Sequence, residues 1–140
     1  MIDLIYVSSA VNLMTQDELI TILKKSRENN AKLDVTGMLL YHEGNFMQVL
    51  EGEEDAVMAL YHKIAQDPRH HMVMRIATRP IKARNFAEWE MGFTNLRDVN
   101  PDMLEGFSKY LSEPLNSETF SENPSLAYAF LQSFKETLAR

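Results

Sequence analysis

Two polar side chains stand in the middle of apolar runs that are otherwise typical of buried β-strands. Gln48 lies within the run Phe46–Leu50, and Tyr6 lies between Ile5 and Val7. A primary amide carries two donors and an acceptor, and burying it without partners costs roughly 1–3 kcal/mol. Because a buried tyrosine also needs a partner, the two residues are either a hydrogen-bonded pair within the core or part of a small-molecule site.

Further polar residues fall where they could join such a site. Ser26 and Asn30 project from the first predicted helix, although Ser26 alone could be a small core residue. Asp67, Arg69 and His70 follow the second predicted helix and form either a solvated loop or a rim that contacts a polar ligand. His70 is followed by a second histidine, but adjacent side chains diverge on a strand, so we expect no metal site.

Trp89 and Met91 stand two residues apart in the last predicted strand and therefore share one face of it. They either cover the core at a sheet edge or contact the site. The sequence contains no G-x-S-x-G, no Walker A motif and no H-E-x-x-H. These residues therefore indicate binding rather than a catalytic constellation.

The elements that must position these residues can be read from periodicity and turn signals. Five β-rich apolar runs are predicted as strands, at residues 2–8, 35–41, 45–51, 72–78 and 88–94. Thr15 and Glu18 fit a capping box before the first helix, and a second helix runs from about Glu53 to Asp67, where Pro68 stops it. The order βαββαββ predicts an α+β, ferredoxin-like sandwich: a five-stranded mixed sheet with two helices on one face.

The last forty residues differ in character from the rest. One amphipathic helix is predicted around residues 103–111, a polar linker at residues 113–124, and a second helix after Asn123 and Pro124. The apolar stripe of the second helix consists of Ala127, Phe130, Leu131, Phe134 and Leu138. These two helices either cover the open face of the sheet or serve as an interface.

Composition limits the class of protein. With 140 residues, one domain is the default. The formal net charge of −6 argues against direct nucleic-acid binding, and the lack of cysteine excludes disulfides and thiolate catalysis. The N-terminal segment does not resemble a signal peptide, and no apolar run approaches the roughly 20 residues of a membrane span. We therefore expect a cytoplasmic protein with no membrane partner.

Several motifs together, in order, resemble the BLUF family of blue-light sensors that use flavin. They are L-I-Y-V-S-S, S-R-E-N-N, V-T-G-M-L-L-Y, F-M-Q-V-L-E-G, D-P-R-H-H and P-I-K-A-R-N-F-A-E-W-E-M. The resemblance covers residues 1–95, which would form the flavin-binding domain, and leaves residues 96–140 as a C-terminal helical extension. The family often has Asn-Gly before its Ile-Thr-Gly turn, whereas this chain has Leu33 and Asp34.

The resemblance implies a role for each of the residues singled out above. Tyr6 matches the electron-donating tyrosine, and Gln48 matches the glutamine between that tyrosine and the flavin ring. Asn30 and Ser26 match positions along the pyrimidine edge of the ring, and Trp89 and Met91 match a mobile pair on the fifth strand. The other implied flavin contacts are Ile22, Leu39 and Phe46 at the ring, and Asp67, Arg69 and His70 near the ribityl chain and phosphate.

The resemblance also implies a photochemical function without enzymatic activity. Light drives electron and proton transfer from Tyr6 through Gln48, and the amide is left rotated or tautomerised, which shifts flavin absorption to the red. The resemblance implies FAD as the first candidate for the flavin, with FMN or riboflavin as alternatives. The output would be a change in a homo-oligomer or in contact with a downstream protein, through the C-terminal helices with Phe107, Tyr110, Phe130 and Phe134. The rival interpretation is a small ferredoxin-like enzyme, such as a monooxygenase or an acylphosphatase-like hydrolase.

Overall fold

A computed structural model describes residues 1–87, 91–99, 110 and 113–137. The strands are β1 (Ile2–Ala10), β2 (Thr36–His42), β3 (Asn45–Gly52), β4 (His70–Pro80) and β5 (Gly92–Asn95). The helices are α1 (Gln16–Leu33), α2 (Glu54–Ala65), α3 (Glu118–Ser121) and α4 (Pro124–Thr137), and a 3₁₀ turn spans Leu96–Asp98.

The strands form one mixed sheet in the order β4-β1-β3-β2-β5. β1 pairs antiparallel with both β3 and β4, and β2 pairs antiparallel with β3 but parallel with β5. β1 and β3 are therefore central neighbours. This arrangement confirms the predicted ferredoxin-like α+β fold with a five-stranded mixed sheet.

Period-two alternation divides the central strands between two hydrophobic clusters. Leu4 and Tyr6 of β1 pack in the cluster that includes residues of α1 and α2. Ile5 and Val7 pack in a second cluster that includes Phe130 and Phe134 of α4. Since successive side chains of a strand point to opposite faces, the sheet is covered by helices on both faces.

Local sequence explains where the elements begin and end. Thr15 and Glu18 form the predicted capping box at the start of α1, with Glu18 N donating to Thr15 Oγ1 and Thr15 N donating to Glu18 Oε1. Glu43 and Gly44 both have positive φ, at 46° and 88°, between the paired residues His42 and Asn45. Two residues with positive φ fit the type I′ turn that matches the twist of a hairpin.

Asp34, the residue that departs from the family pattern, ends α1 in the left-handed conformation with φ at 55°. Glycine is the usual residue at such a position. Arg84 binds this turn, donating to the Asp34 carbonyl oxygen at 2.6 Å and lying 3.3 Å from its carboxylate. The turn thus keeps its shape without glycine and connects α1 to the loop after β4.

β4 is longer than predicted, at both ends. It starts at His70 rather than Met72 and runs to Pro80, because β1 offers a pairing partner over its whole length, from Ile2 opposite Pro80 to Ala10 opposite His70. β5 is described from Gly92, and residues 88–90 of the predicted strand, including Trp89, lie outside the described residues.

The C-terminal region requires two corrections. The predicted polar linker contains the helix α3, and its apolar residues Leu115 and Phe120 are fully buried in the second cluster. Phe130 and Phe134, expected at an output surface, are also fully buried, because α4 lies on the sheet face opposite α1 and α2. Phe107 lies outside the described residues, and Tyr110 is partly buried against the same cluster.

Among the described residues, no helix is long and apolar enough to cross a membrane.

Gly37 of β2 tests the packing between the central strands. A Cβ atom added there would lie 2.0 Å from the Val49 carbonyl oxygen and 3.4 Å from Met91 Cε. Because backbone must move to admit it, Gly37→Ala should lower the free energy of unfolding by about 1–3 kcal/mol, measured by urea unfolding. Gly52→Ala is the control, since its Cβ would come no closer than 3.2 Å to another atom. Equal losses for both variants would contradict this account.

Candidate functional site

A cavity of about 270 Å³ opens between α1 and α2, above the central strands. Its floor includes Tyr6 of β1, Leu39 of β2, and Phe46 and Gln48 of β3. The remaining lining residues are Met14, Ile22, Lys25, Ser26, Asn29, Asn30, Leu60, Lys63, Ile64, Asp67, Arg69 and His70. Every residue predicted to contact the cofactor lines this cavity except Met91.

Tyr6 and Gln48 stand directly opposite each other on the antiparallel strands β1 and β3. The Tyr6 hydroxyl donates a short hydrogen bond to Gln48 Oε1, and both side chains are buried. Burial raises the pKa of the Tyr6 phenol well above its ordinary value, and Tyr61 and Asp67 raise it further. Tyr6 therefore keeps its proton at neutral pH and remains the donor to the amide.

The other end of the Gln48 amide faces a methionine. Gln48 Nε2 donates to Met91 Sδ at 3.2 Å, and Met91 is 1% exposed. A thioether accepts hydrogen bonds weakly and cannot donate one. An amide turned by half a rotation would place its oxygen against this sulfur and its NH₂ toward the Tyr6 oxygen. Met91 therefore favours the present orientation, but only weakly.

α1 supplies the polar side of the cavity. Asn30 is 2% exposed. Its backbone carbonyl oxygen accepts a hydrogen bond from Val35 N at 2.9 Å, which fixes the C-terminal turn of the helix. Ser26 lies one turn earlier on the same face. Since residues four apart overlie each other on a helix, α1 presents a hydroxyl and an amide to the cavity in one row.

The rim contains an ion pair. Arg69 donates through Nε and through a terminal nitrogen to both carboxylate oxygens of Asp67, at distances down to 2.5 Å. The Arg69 side chain is also the main cause that holds the pKa of Asp67 below its ordinary value. Asp67 therefore neutralises much of the positive charge that Arg69 brings to the cavity.

His70 uses both ring nitrogens within the protein. Its Nε2 lies 2.5 Å from the Ile64 carbonyl oxygen, and its Nδ1 lies 2.9 Å from Ser8 Oγ. Since a carbonyl oxygen can only accept, Nε2–H donates, and in the neutral ring Nδ1 then accepts from Ser8. Within the described part of the chain, no three histidine, aspartate or glutamate side chains are grouped so as to hold a metal ion.

Six residues line the cavity that were not among the predicted site residues: Met14, Lys25, Asn29, Leu60, Lys63 and Ile64. Helical spacing could have found most of them. Lys25 and Asn29 follow Ile22 by three and seven positions on α1. Lys63, in the last turn of α2, precedes Asp67 by four positions. The two lysines are the most informative, because they bring positive charge to opposite sides of the cavity.

The donor set fits a flat heterocycle. Ile22, Leu39 and Phe46 supply apolar surface, whereas Ser26, Asn30 and Gln48 supply hydroxyl and amide groups. In such a cavity the apolar side chains can pack against the faces of an aromatic ring, and the polar groups can form hydrogen bonds with the edge of the ring. The fold and the cavity together define an α+β domain that can bind a flat, ring-shaped cofactor.

Comparison with known proteins identifies the class more closely. A family model described as "BLUF: Sensors of blue-light using FAD" matches residues 1–92. The chain therefore belongs to the BLUF family, which confirms the resemblance and, with it, flavin as the family's cofactor.

A relative and two solved structures illustrate the range of the family. Photoactivated adenylate cyclase subunit beta of Euglena longa is 38% identical over 115 residues, which are 75% of this chain but 13% of that protein. BlsA in its photo-activated state has a TM-score of 0.76 at 27% identity and matches over 99% of this chain and 95% of BlsA. BlrB, a BLUF protein, in its dark state has a TM-score of 0.70 at 27% identity, over 91% of this chain and 96% of BlrB.

This chain therefore spans about an eighth of the cyclase relative, yet it covers nearly all of BlsA and BlrB. The family match bears out the prediction of a domain from a family of flavin-using blue-light sensors.

Proposed function

We propose that this protein is a blue-light receptor that binds a flavin in the cavity between α1 and α2 and signals by rearranging the hydrogen bonds of Gln48. The observation that carries the proposal is the buried series Tyr6–Gln48–Met91 at the cavity floor. It joins an oxidisable phenol to an amide with two possible orientations, next to a space that fits a ring.

The residues that would hold the flavin divide by chemistry. Ser26 and Asn30 would bind its polar edge, and Ile22, Leu39 and Phe46 would contact its ring. When bound, the flavin supplies absorption of blue light and an electron acceptor in its excited state.

Tyr6 and Gln48 would perform the photochemistry. Tyr6 gives up one electron, and its hydroxyl proton leaves along the existing hydrogen bond to Gln48 Oε1, because oxidation makes a phenol strongly acidic. The electron and the proton then return to Tyr6, so no bond is formed or lost overall. Gln48 is left with its donor and acceptor groups exchanged, as a rotamer or a tautomer, and that exchange is the signal.

The rival enzyme finds little support in the cavity. Among the described lining residues, Asp67 is the only carboxylate, and it is paired with Arg69. General acid–base catalysis needs a group free to exchange protons with a substrate. The described residues of the cavity thus favour a sensor over an acylphosphatase-like hydrolase or a monooxygenase.

We expect the purified protein to be yellow and to show a reversible red shift of its flavin absorption under blue light. Gln48→Leu and Tyr6→Phe should keep the flavin but lose the normal shift, because each removes one end of the buried hydrogen bond. Gln66→Leu, at the exposed end of α2, is the matched control. Absorption spectra in dark and light test all three variants. A full shift in Gln48→Leu would refute the mechanism, and protein that stays colourless with added flavin would refute the function.

The cavity lining also suggests which end of the flavin carries specificity. Lys25 and Lys63 line the cavity from α1 and α2 and are exposed to solvent, and neither has an ion-pair partner among the described residues. Arg69, in contrast, is paired with Asp67. We propose that the two lysines, more than Arg69, attract the phosphate of FMN or FAD.

Lys63→Gln and Lys25→Gln should each weaken FMN binding roughly 2–5-fold, because one exposed charge contact contributes up to about 1 kcal/mol. Riboflavin, which lacks the phosphate, should bind each variant as it binds the original protein. Lys24→Gln is the control, since Lys24 neighbours Lys25 but does not line the cavity. Titrating the flavin-free protein with FMN and with riboflavin gives the two dissociation constants for each variant, and their ratio is the quantity to compare. Equal losses for FMN and riboflavin would contradict a phosphate contact.

The output would pass through the opposite face of the sheet. Gln48 stands between Met47 and Val49, which belong to the cluster containing α4. We propose that residues 1–95 hold the flavin and that residues 96–140 carry the change to a second copy of the chain or to a downstream protein. We also propose that the protein is cytoplasmic.

The free side of β4 is the place where we expect copies to associate. β4 is an edge strand, and Met72 and Met74 on it are 68% and 43% exposed. Edge strands present unpaired backbone groups to other chains. Met74→Glu should therefore shift the protein toward monomer in light scattering coupled to size exclusion, in dark or light. Leu13→Glu, at a residue that is 74% exposed elsewhere, is the control. An unchanged mass for Met74→Glu would exclude this edge.

A further inference from the structure

Arg27 makes a contact that connects the cavity helix to the segment before β5. Its Nε donates to the Met91 carbonyl oxygen at 3.0 Å, in a partly buried position. Arg27 directly follows Ser26 on α1, but its side chain does not line the cavity. Its side chain therefore has a partner outside the cofactor site.

Met91 is held at both of its ends. Its sulfur accepts from Gln48 Nε2, and its backbone carbonyl accepts from Arg27. Gly37 leaves room for the methyl group, since a Cβ there would lie 3.4 Å from Met91 Cε. The next residue, Gly92, begins the parallel pairing with β2.

A methionine held only by its side chain would be a poor partner for an amide. Its unbranched chain has three rotatable bonds and adapts readily to irregular spaces. The carbonyl contact with Arg27 fixes the backbone from which this chain extends, and a hydrogen bond from a charged donor is stronger than one between neutral groups. The position of the sulfur against Gln48 thus depends on Arg27.

We infer that Arg27 is a positioning residue for the light response: by anchoring the Met91 carbonyl, it holds the sulfur on Gln48 and sets how fast the amide returns to its dark orientation. The part of this inference that concerns light rests on the proposed function. The anchoring of β5 does not, and it can be measured in flavin-free protein.

The first test is amide hydrogen exchange in the flavin-free protein. Arg27→Gln should speed exchange in the peptide covering residues 91–95 by about fivefold or more, because about 1 kcal/mol of lost anchoring changes an opening equilibrium by that factor. Arg27→Lys keeps a charged donor and should restore part of the protection. Arg97→Gln removes another arginine contact to α1, the one to Gln16 Oε1, and should leave this peptide's exchange nearly unchanged. Exchange equal to the original protein in Arg27→Gln would overturn the inference.

The second test uses the flavin-loaded protein. Arg27→Gln should retain the position and size of the red shift but change the rate of dark return by about fivefold or more, with Arg27→Lys between the two. Met91→Leu should alter the same rate, and adding Arg27→Gln to it should have little further effect, because the arginine acts through the methionine.

Each outcome of these tests is distinct. An unchanged return rate in Arg27→Gln, or additive effects of the two substitutions, would overturn the inference while leaving the proposed function intact. Absence of any red shift in the original protein would instead refute the proposed function, and the exchange experiment would still decide whether Arg27 anchors β5. If Arg27→Gln does not fold, Arg27→Lys carries both measurements, and a variant indistinguishable from the original in both would count against the inference.

Discussion

The hydrogen bond between Tyr6 and Gln48 is the interaction on which the rest of the site depends. An amide buried in a central strand without that partner would cost roughly 1–3 kcal/mol, and the partner exists only in one register of β1 against β3. A slip of one of these strands by one residue would place Tyr6 and Gln48 on opposite faces of the sheet. The type I′ turn at Glu43 and Gly44 fixes the neighbouring register of β2 against β3, which places Leu39 opposite Gln48 on the cavity floor.

The same alternation explains why the sheet is covered on both faces. Gln48 points to the cavity, whereas Met47 and Val49 on either side of it are fully buried with α4. A movement of the β3 backbone at Gln48 would thus alter packing on both faces at once. Because close-packed interiors transmit small displacements, α4 is placed to respond to the cavity without contacting it.

Sequence reasoning could locate Tyr6 and Gln48 because period-two alternation and the predicted topology place the two side chains side by side. The same reasoning could not find the burial of Phe120, since a four-residue helix in a polar segment shows no periodicity. Nor could it find the contact between Arg27 and Met91, which joins residues 64 positions apart and depends on where one backbone carbonyl points.

A weak partner for Gln48 is what a reversible switch requires. A carboxylate in place of the Met91 thioether would accept strongly from the amide nitrogen and would lock the present orientation of the amide. The thioether accepts only weakly, so the two orientations can differ by no more than a few kcal/mol, within the range where a small input shifts populations. A weak contact is useful only if its geometry is fixed. The backbone carbonyl of the same methionine accepts a hydrogen bond from the charged side chain of Arg27. This stronger hydrogen bond fixes the position of Met91, whereas the weaker contact of its sulfur with Gln48 allows the amide to adopt either orientation.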